Sequence, residues 1–400
     1  MLEKQTSLSS GKKNLGTMIR VLWSTVIVLV VGILLASPIQ AAGAQSHLTD
    51  GLCLPGSDLS LMGDCAILGP RAYLQRMAEM GITFPPRPLL AHQPDPEMSN
   101  LPYLYARITR ERAPLFDSLD AAVMGEPVYR NLETGFNYVT YIDAAEVDGK
   151  RYYMIAPGVW MQGFGFSRVA TPNFQGLEFS ETPSNDFGWV LFTNESKFTP
   201  GYQVQDFTGR EYYRYDIVQI YAVETVGDQN WYRIGPEEWL ESRQVARVAP
   251  KPVPPQGVES GRWIEVNLKE QTLAAYEERT LVFATVIASG RPGSWTRPGL
   301  FQIYQKKPTE LMTGAFTADR SDSYYLEDVP WTMYFDQARA LHGTYWHNSY
   351  GVPQSRGCVN LSPGDSKWLF DWAQEGDWVY VWDPSGETPV EDDLYGPGGA

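Results

Sequence analysis

Residues Tyr152-Tyr-Met-Ile-Ala-Pro-Gly-Val-Trp-Met161 align with Trp231-Tyr-Arg-Ile-Gly-Pro-Glu-Glu-Trp-Leu240 at an offset of 79, and the same offset carries Arg168-Val-Ala170 onto Arg247-Val-Ala249. Two blocks in one register point to a duplicated unit, present often enough for paired modules and too few times for a solenoid. In each copy an aromatic pair leads into a strand, a Pro-containing turn follows, and a Trp begins the next strand. Nearby runs such as Phe136-Asn-Tyr-Val-Thr-Tyr141 alternate between Gly and Asp turns, the pattern of small antiparallel sheets. The 13 Trp and 23 Tyr, beside 36 Gly and 29 Pro, also favour strands and turns over helical bundles. The chain is expected to be mainly β.

Its 32 Lys+Arg against 47 Asp+Glu leave a formal charge of −15, which repels a phosphate backbone and argues against a nucleic-acid partner. The first segment reads as an address. Lys4, Lys12, Lys13 and Arg20 precede the apolar run Val21 to Ala36, and small residues follow at Ala42-Gly43-Ala44. That order fits a secretory signal cleaved after Ala44; the alternative is an uncleaved membrane anchor using Met18 to Ala42. Both readings export the rest of the chain, as a secreted or membrane-anchored protein of the cell wall or extracytoplasmic space. In an oxidising compartment Cys53 and Cys65, close together after this segment, are expected to form a disulfide. Cys358 is then left over, as either a buried structural thiol or a reactive one.

The sequence divides into 1–44 as signal or anchor, a region at 45–124 with no chemistry assigned, repeats at 125–172 and 186–249, a Pro-rich linker at 250–260, a third module at 261–383, and an acidic, mobile tail at 384–400. Within 45–124, Pro70 to Met80 suits a helix, and Pro85, Pro86, Pro88, Pro94 and Pro96 mark an extended loop. In the second repeat Trp231, Tyr232, Ile234 and Trp239 resemble the end of a bacterial SH3-like wall-associated domain, which implies small β-barrel modules. Their aromatics either line a groove for peptide or glycan or fill a core.

In the third module Trp263-Ile-Glu-Val-Asn-Leu268 alternates as a half-buried strand, and Thr272 to Tyr276 and Thr280 to Ala288 continue a meander. A Gly/Pro loop at Gly290 to Gly299 precedes a strand at Leu300 to Tyr304. Asp365 to Ala373 suits a short helix with Ser362 as N-cap, and Asp377 to Trp382 closes the module as a strand.

The chemistry concentrates in His342-Gly-Thr-Tyr-Trp-His-Asn-Ser-Tyr-Gly-Val-Pro-Gln-Ser-Arg-Gly-Cys-Val-Asn-Leu361, which holds two of the four histidines and the unpaired Cys. Thiol acyl transfer needs a thiolate beside an imidazole that takes and returns the proton, with amide donors where an oxyanion develops. Cys358 and His342 supply the pair, with His347 as the alternative base, and the amides of Gly357 and Cys358 are candidates for the oxyanion hole. Zinc on His342, His347 and Cys358 matches no common spacing, so no metal is assigned.

This segment resembles the L,D-transpeptidase catalytic domain of bacterial cell-wall enzymes, whose motif is a His-Gly followed by S-H-G-C-x-[RN]. Here it reads His342-Gly343, then Ser355-Arg356-Gly357-Cys358-Val359-Asn360. Trp263-Ile-Glu-Val, the Gln271-Thr-Leu turn, Ser289-Gly290 and Thr296-Arg-Pro-Gly-Leu-Phe301 follow the family's order, so the resemblance covers about 261 to 383. One departure is Arg356, where the family usually has His; it leaves nucleophile and base in place and puts a fixed cation beside the thiol, able to favour thiolate or hold a substrate carboxylate.

The resemblance implies a β-sandwich catalytic domain that needs no cofactor and acts on peptidoglycan stem peptides. Cys358 attacks the carbonyl before a terminal D-Ala, and the thioester passes to a stem amine as a 3→3 cross-link. Gly343, Ser355 and Asn360 are expected to support the loop, and Tyr334, Tyr345 and Trp346 to wall the groove or lie in the core. Delivery of the acyl group to water, as an L,D-carboxypeptidase, and a wall-binding protein without catalysis are the alternatives.

Overall fold

The computed structural model describes residues 89–396 apart from 204, 316 and 318. The signal or anchor, the Cys53/Cys65 pair and the helix expected at Pro70 to Met80 lie outside the described residues. Among the described residues no helix is long and apolar enough to cross a membrane.

The offset of 79 carries whole strands onto one another: Asp143–Val147 onto Ala222–Val226, Lys150–Ala156 onto Gln229–Gly235, and Val159–Gln162 onto Glu238–Glu241. Each copy folds these three with two more into a five-stranded sheet of the same order. In the first, Arg130–Leu132 and Ala113–Phe116 lead; in the second, Phe207–Tyr212 and Asn194–Lys197. Each copy also builds a three-strand set, Phe136–Tyr141, Leu104–Ile108, Phe166–Arg168 in one and Ile217–Ile220, Asp186–Val190, Val245–Val248 in the other. The first copy's strands therefore begin at Leu104, ahead of the 125 read from sequence. Leu104 corresponds to Asp186 at an offset of 82, and this insertion breaks the sequence alignment upstream.

The copies differ in what they join. The second copy's three strands form a sheet of their own. The first copy's set is continued by Tyr324–Asp336, which pairs in parallel with Phe136–Tyr141 through Tyr324↔Phe136 and Leu326↔Tyr138. Beyond it follow Arg339–Gly343 and Val359–Leu361, with Gln305–Gly314 also paired to Tyr324–Asp336. A second seven-stranded sheet runs Ala91–His92, Leu177–Phe179, Thr280–Val286, Thr272–Glu277, Arg262–Asn267, Trp378–Trp382, Gly299–Gln302. Ile264, Val266, Leu273 and Phe283 of this sheet meet Met333, Phe335, Leu341, Val359 and Leu361 of the other, with Leu369 of the Pro363–Trp372 helix, in one apolar core. The fold is thus mainly β, with a β-sandwich at its centre.

Three local expectations change. Trp263 to Val266 is buried throughout rather than on alternate residues, because the second copy covers the outer face: Trp263, Ala274 and Tyr276 pack with Phe187, Trp189, Ala246 and Val248. A strand buried on both faces loses its polar alternation. The long hairpin Gln305–Gly314 and Tyr324–Asp336 has little strand signature, since Pro308 and Pro330 interrupt it. The described part of the acidic tail, to residue 396, contacts the rest of the chain. Arg297 Nη1 meets Asp392 Oδ1 at 2.7 Å, Arg339 Nη2 donates to Gly396 O at 2.9 Å, and Thr388 is buried.

Helix Pro363–Trp372 starts where expected: Ser362 Oγ accepts from the Asp365 N–H at 3.1 Å, and Pro363 sits at its first turn. The Pro-rich stretch 250–260 lies against the sandwich, with the Lys251 N–H donating to Tyr276 Oη at 3.0 Å.

Candidate active site

Arg339–Gly343 and Val359–Leu361 are parallel neighbours in register Leu341↔Val359 and His342↔Asn360. Side chains alternate along a strand and cross-strand partners share a face. Continued by one residue, this register places Cys358 and Asn360 on the face that carries His342. Cys358 and His342, the expected nucleophile and base, are therefore diagonal neighbours on one face.

Gly357 makes the entry to that strand possible. Its φ of +123° lies in the region that only glycine adopts readily, and a Cβ there would stand 3.1 Å from Arg339 Nε. Ser355 fixes the turn: its Oγ accepts from the Gly357 N–H at 3.1 Å and donates to Cys358 O at 2.5 Å. The Gly357 amide, expected to serve an oxyanion hole, donates to Ser355 Oγ in this geometry. Ser355 N–H also donates to Ser289 O at 3.0 Å, and Gln271 Nε2 donates to Ser289 Oγ at 2.7 Å. The Gln271 turn and Ser289 thus brace the nucleophile loop from the opposite sheet.

Cys358 is fully buried, and burial pushes its thiol up to about 12, against the pull of the Ala340 N–H, 3.4 Å from Sγ, and of the Arg339 charge. Arg339 was not singled out in the sequence. It is buried and pairs with the equally buried Asp336 at 2.9 Å, and Asp336 in turn takes Arg297 at 2.6 Å. The carboxylate offsets much of the guanidinium charge, so burial prevails at the thiol.

The histidines are distinguished by their partners. His342 Nδ1 lies 3.0 Å from Gly343 O, which can only accept, so the proton sits on Nδ1 and Nε2 carries the lone pair. His342 Nε2 is buried without a hydrogen-bond partner among the described residues. Burial holds this imidazole down at about 4, hence neutral. His347 is also pushed down to about 4 by burial, but both its nitrogens are engaged: Ser349 N–H donates to Nδ1 at 3.1 Å, and the Asn360 amide meets Nε2 at 3.0 Å. An available lone pair is what a general base requires, and His342 has it.

The remaining expected residues separate. Trp346, 5.8 Å from the His342 ring, lines a cavity of about 400 Å³ together with Tyr324, Arg356, Asn360, Ser355 and His347. Tyr345 is buried core instead, stacked on Tyr105 at 3.6 Å. Tyr334 pairs across the sheet with Ala340 and faces Tyr304 at 6.0 Å, away from the cavity wall, and burial first, then the Glu310 carboxylate, raise its phenol. Gly343 serves packing: a Cβ there would stand 2.4 Å from Ser366 Oγ of the helix. Arg356 is held by Asp322, through Nη1 to Asp322 O at 3.0 Å and Nη2 to Oδ2 at 3.6 Å. It separates the first cavity from a second of about 430 Å³, lined by Trp295, Arg339 and the tail residues Leu394 to Gly396. Among the described residues no three His, Cys, Asp or Glu side chains converge as a metal site.

Residues 261–381 match the family model YkuD, the L,D-transpeptidase catalytic domain. Among solved structures, the chain is similar to the Enterococcus faecium L,D-transpeptidase C442S mutant at 26% identity, covering 31% of this chain and 50% of that one with a TM-score of 0.29. It is similar to the L,D-transpeptidase from Stackebrandtia nassauensis at 30% identity, covering 34% and 60% with a TM-score of 0.26. The catalytic domain of the E. faecium enzyme is covered in full, at 29% identity over 32% of this chain and a TM-score of 0.28. The chain thus spans half the length of the first of these and 60% of the second. No curated protein matches it significantly.

Proposed function

We propose that this protein, which carries an L,D-transpeptidase catalytic domain at residues 261–381, is an exported acyltransferase that uses Cys358 as nucleophile to form 3→3 cross-links between peptidoglycan stem peptides. One observation carries the reading. His342, on the sheet face that bears Cys358, has its proton fixed on Nδ1 by Gly343 O and a buried, unpartnered Nε2.

The steps follow from that pair. The Cys358 thiol gives its proton to His342 Nε2 as sulfur bonds to the carbonyl carbon before the terminal D-Ala of a tetrapeptide stem. The resulting imidazolium returns the proton to the departing amine, the C–N bond breaks, and D-Ala leaves a thioester on Cys358. The side-chain amine of a second stem's diamino acid then attacks the thioester. Its proton passes through His342 to the sulfur as the C–S bond breaks, which restores the thiol. At rest the pair is neutral, since burial raises the thiol and lowers the imidazole. The nucleophile is therefore generated by proton transfer during attack.

Intact-protein mass after incubation of the full chain with a carbapenem tests the nucleophile. The expected result is one covalent adduct on the wild type and none on Cys358→Ala. Folded wild type without an adduct would sink the acyl-enzyme reading.

A further inference from the structure

The cavity beside Trp346 has a wall that does not come from the catalytic segment. Arg107, Phe136 and Tyr138 line it from the first copy of the duplicated unit, because Phe136–Tyr141 pairs directly with Tyr324–Asp336 of the catalytic sheet. Arg107 is the cross-strand partner of Tyr138. Tyr138 lies 6.5 Å from Trp346 and 6.0 Å from Tyr345, within the loop that joins His342 to Cys358. The same cavity takes Arg291, whose backbone N–H donates to Ser355 O at 3.0 Å and so ties it to the loop before Cys358.

The charge of this cavity runs against that of the chain. In a protein of formal charge −15 its lining contains three arginines and no Asp or Glu. Arg356 is held by Asp322, whereas Arg107 and Arg291 form no ion pair with a described residue. Arg356, expected to hold a substrate carboxylate, shares this cavity with two further guanidiniums. An exposed arginine beside aromatic walls, at the edge of a half-open pocket, suits a planar anion that takes two parallel N–H bonds. A phosphate-bearing polymer is disfavoured by the overall charge.

We propose that Arg107, together with Arg291 of the same cavity, binds a carboxylate of the peptide substrate, so that the first copy of the duplicated unit is a substrate-positioning part of the catalytic site. The inference rests on the reading of this site as one that acts on stem peptides. A stem carries more than one carboxylate, and the test separates them.

The experiment is equilibrium binding by calorimetry to the full chain carrying Cys358→Ala, which prevents turnover. The probes are a tetrapeptide stem ending in D-Ala and the same stem with each carboxylate amidated one at a time. One amide is expected to bind about tenfold more weakly than the free acid. That discrimination should vanish on adding Arg107→Ala and return in part with Arg107→Lys, with near-ultraviolet circular dichroism unchanged. Equal binding of all probes, no binding of any, or full discrimination retained by Arg107→Ala would each overturn the site. The carbapenem adduct reads the enzyme function separately: a chain that is acylated yet indifferent to Arg107 loses this proposal and keeps the first.

Discussion

At Cys358 and His342 burial acts on both partners toward the neutral state, which fixes the expected pH behaviour. The His342 imidazole lies at about 4 rather than near 6.5, so Nε2 remains a base as pH falls through the usual histidine range. Carbapenem acylation of the full chain should therefore stay flat from about pH 8 to about pH 5 and fall as pH drops through about 4. A midpoint near 6.5 would show that His342 is solvated in the reacting state. The two histidines should also separate by substitution. His342→Asn removes the ring of this pair whose Nε2 is unpartnered and should slow acylation by roughly 10²–10⁴-fold. His347→Asn gives up the ring's contacts to Ser349 and Asn360 and should cost less than about tenfold. The Cys358 and His342 pair was legible in the sequence because both residues fall within one motif. His347 stayed the alternative base in the sequence, and the structure adds which nitrogens Gly343 O and Ser349 N–H occupy.

Helix Pro363–Trp372 shows how an element brings its own titration into the fold. Asp365, in its first turn, accepts from the Gly176 N–H at 2.8 Å and the Thr285 hydroxyl at 2.5 Å, joining the helix to the strand that follows Gly176 and to the sheet. Complete burial raises its carboxyl to about 7, so the neutral acid is the favoured form in the fold below about that pH. The native pKa lies above the unfolded value. The folded state therefore binds more protons between about pH 4 and pH 7, and the stability due to Asp365 is lost as pH rises through about 7. Asp365→Asn removes this dependence while keeping an acceptor for Gly176. Urea midpoints of wild type and variant should move apart in favour of Asn between pH 5 and pH 8, by on the order of a few kcal/mol. A constant difference would place the proton elsewhere. The helix and its Ser362 cap were readable from a local pattern. The hairpin Gln305–Gly314 and Tyr324–Asp336 was not, because Pro308 and Pro330 break the strand signature and the pairing supplies what propensity lacks.

At the scale of the whole molecule, the unexpected feature is that one sheet belongs to two parts of the chain. The duplication could be read from two short matched blocks, yet nothing local announces that Phe136 pairs with Tyr324. That partner is remote in sequence, and only packing selects it, which is also why Arg107 carried no signal. The junction is cemented by buried aromatics. Tyr105 stacks on Tyr345 and its hydroxyl donates to Asp328 O at 2.9 Å, while the Tyr345 hydroxyl donates to Glu327 O at 2.6 Å. A continuous sheet with such a seam should open as one unit, so damage in the first copy must reach the loop between His342 and Cys358. Tyr105→Ala removes a fully buried ring and is expected to cost roughly 3–5 kcal/mol by analogy with other aromatic truncations. Hydrogen exchange should then accelerate in Leu104–Ile108 and in Arg339–Gly343 together, and carbapenem acylation should slow although Cys358 and His342 are intact. Faster exchange confined to Leu104–Ile108, with unchanged acylation, would mean that the first copy is attached to the catalytic sheet without supporting it.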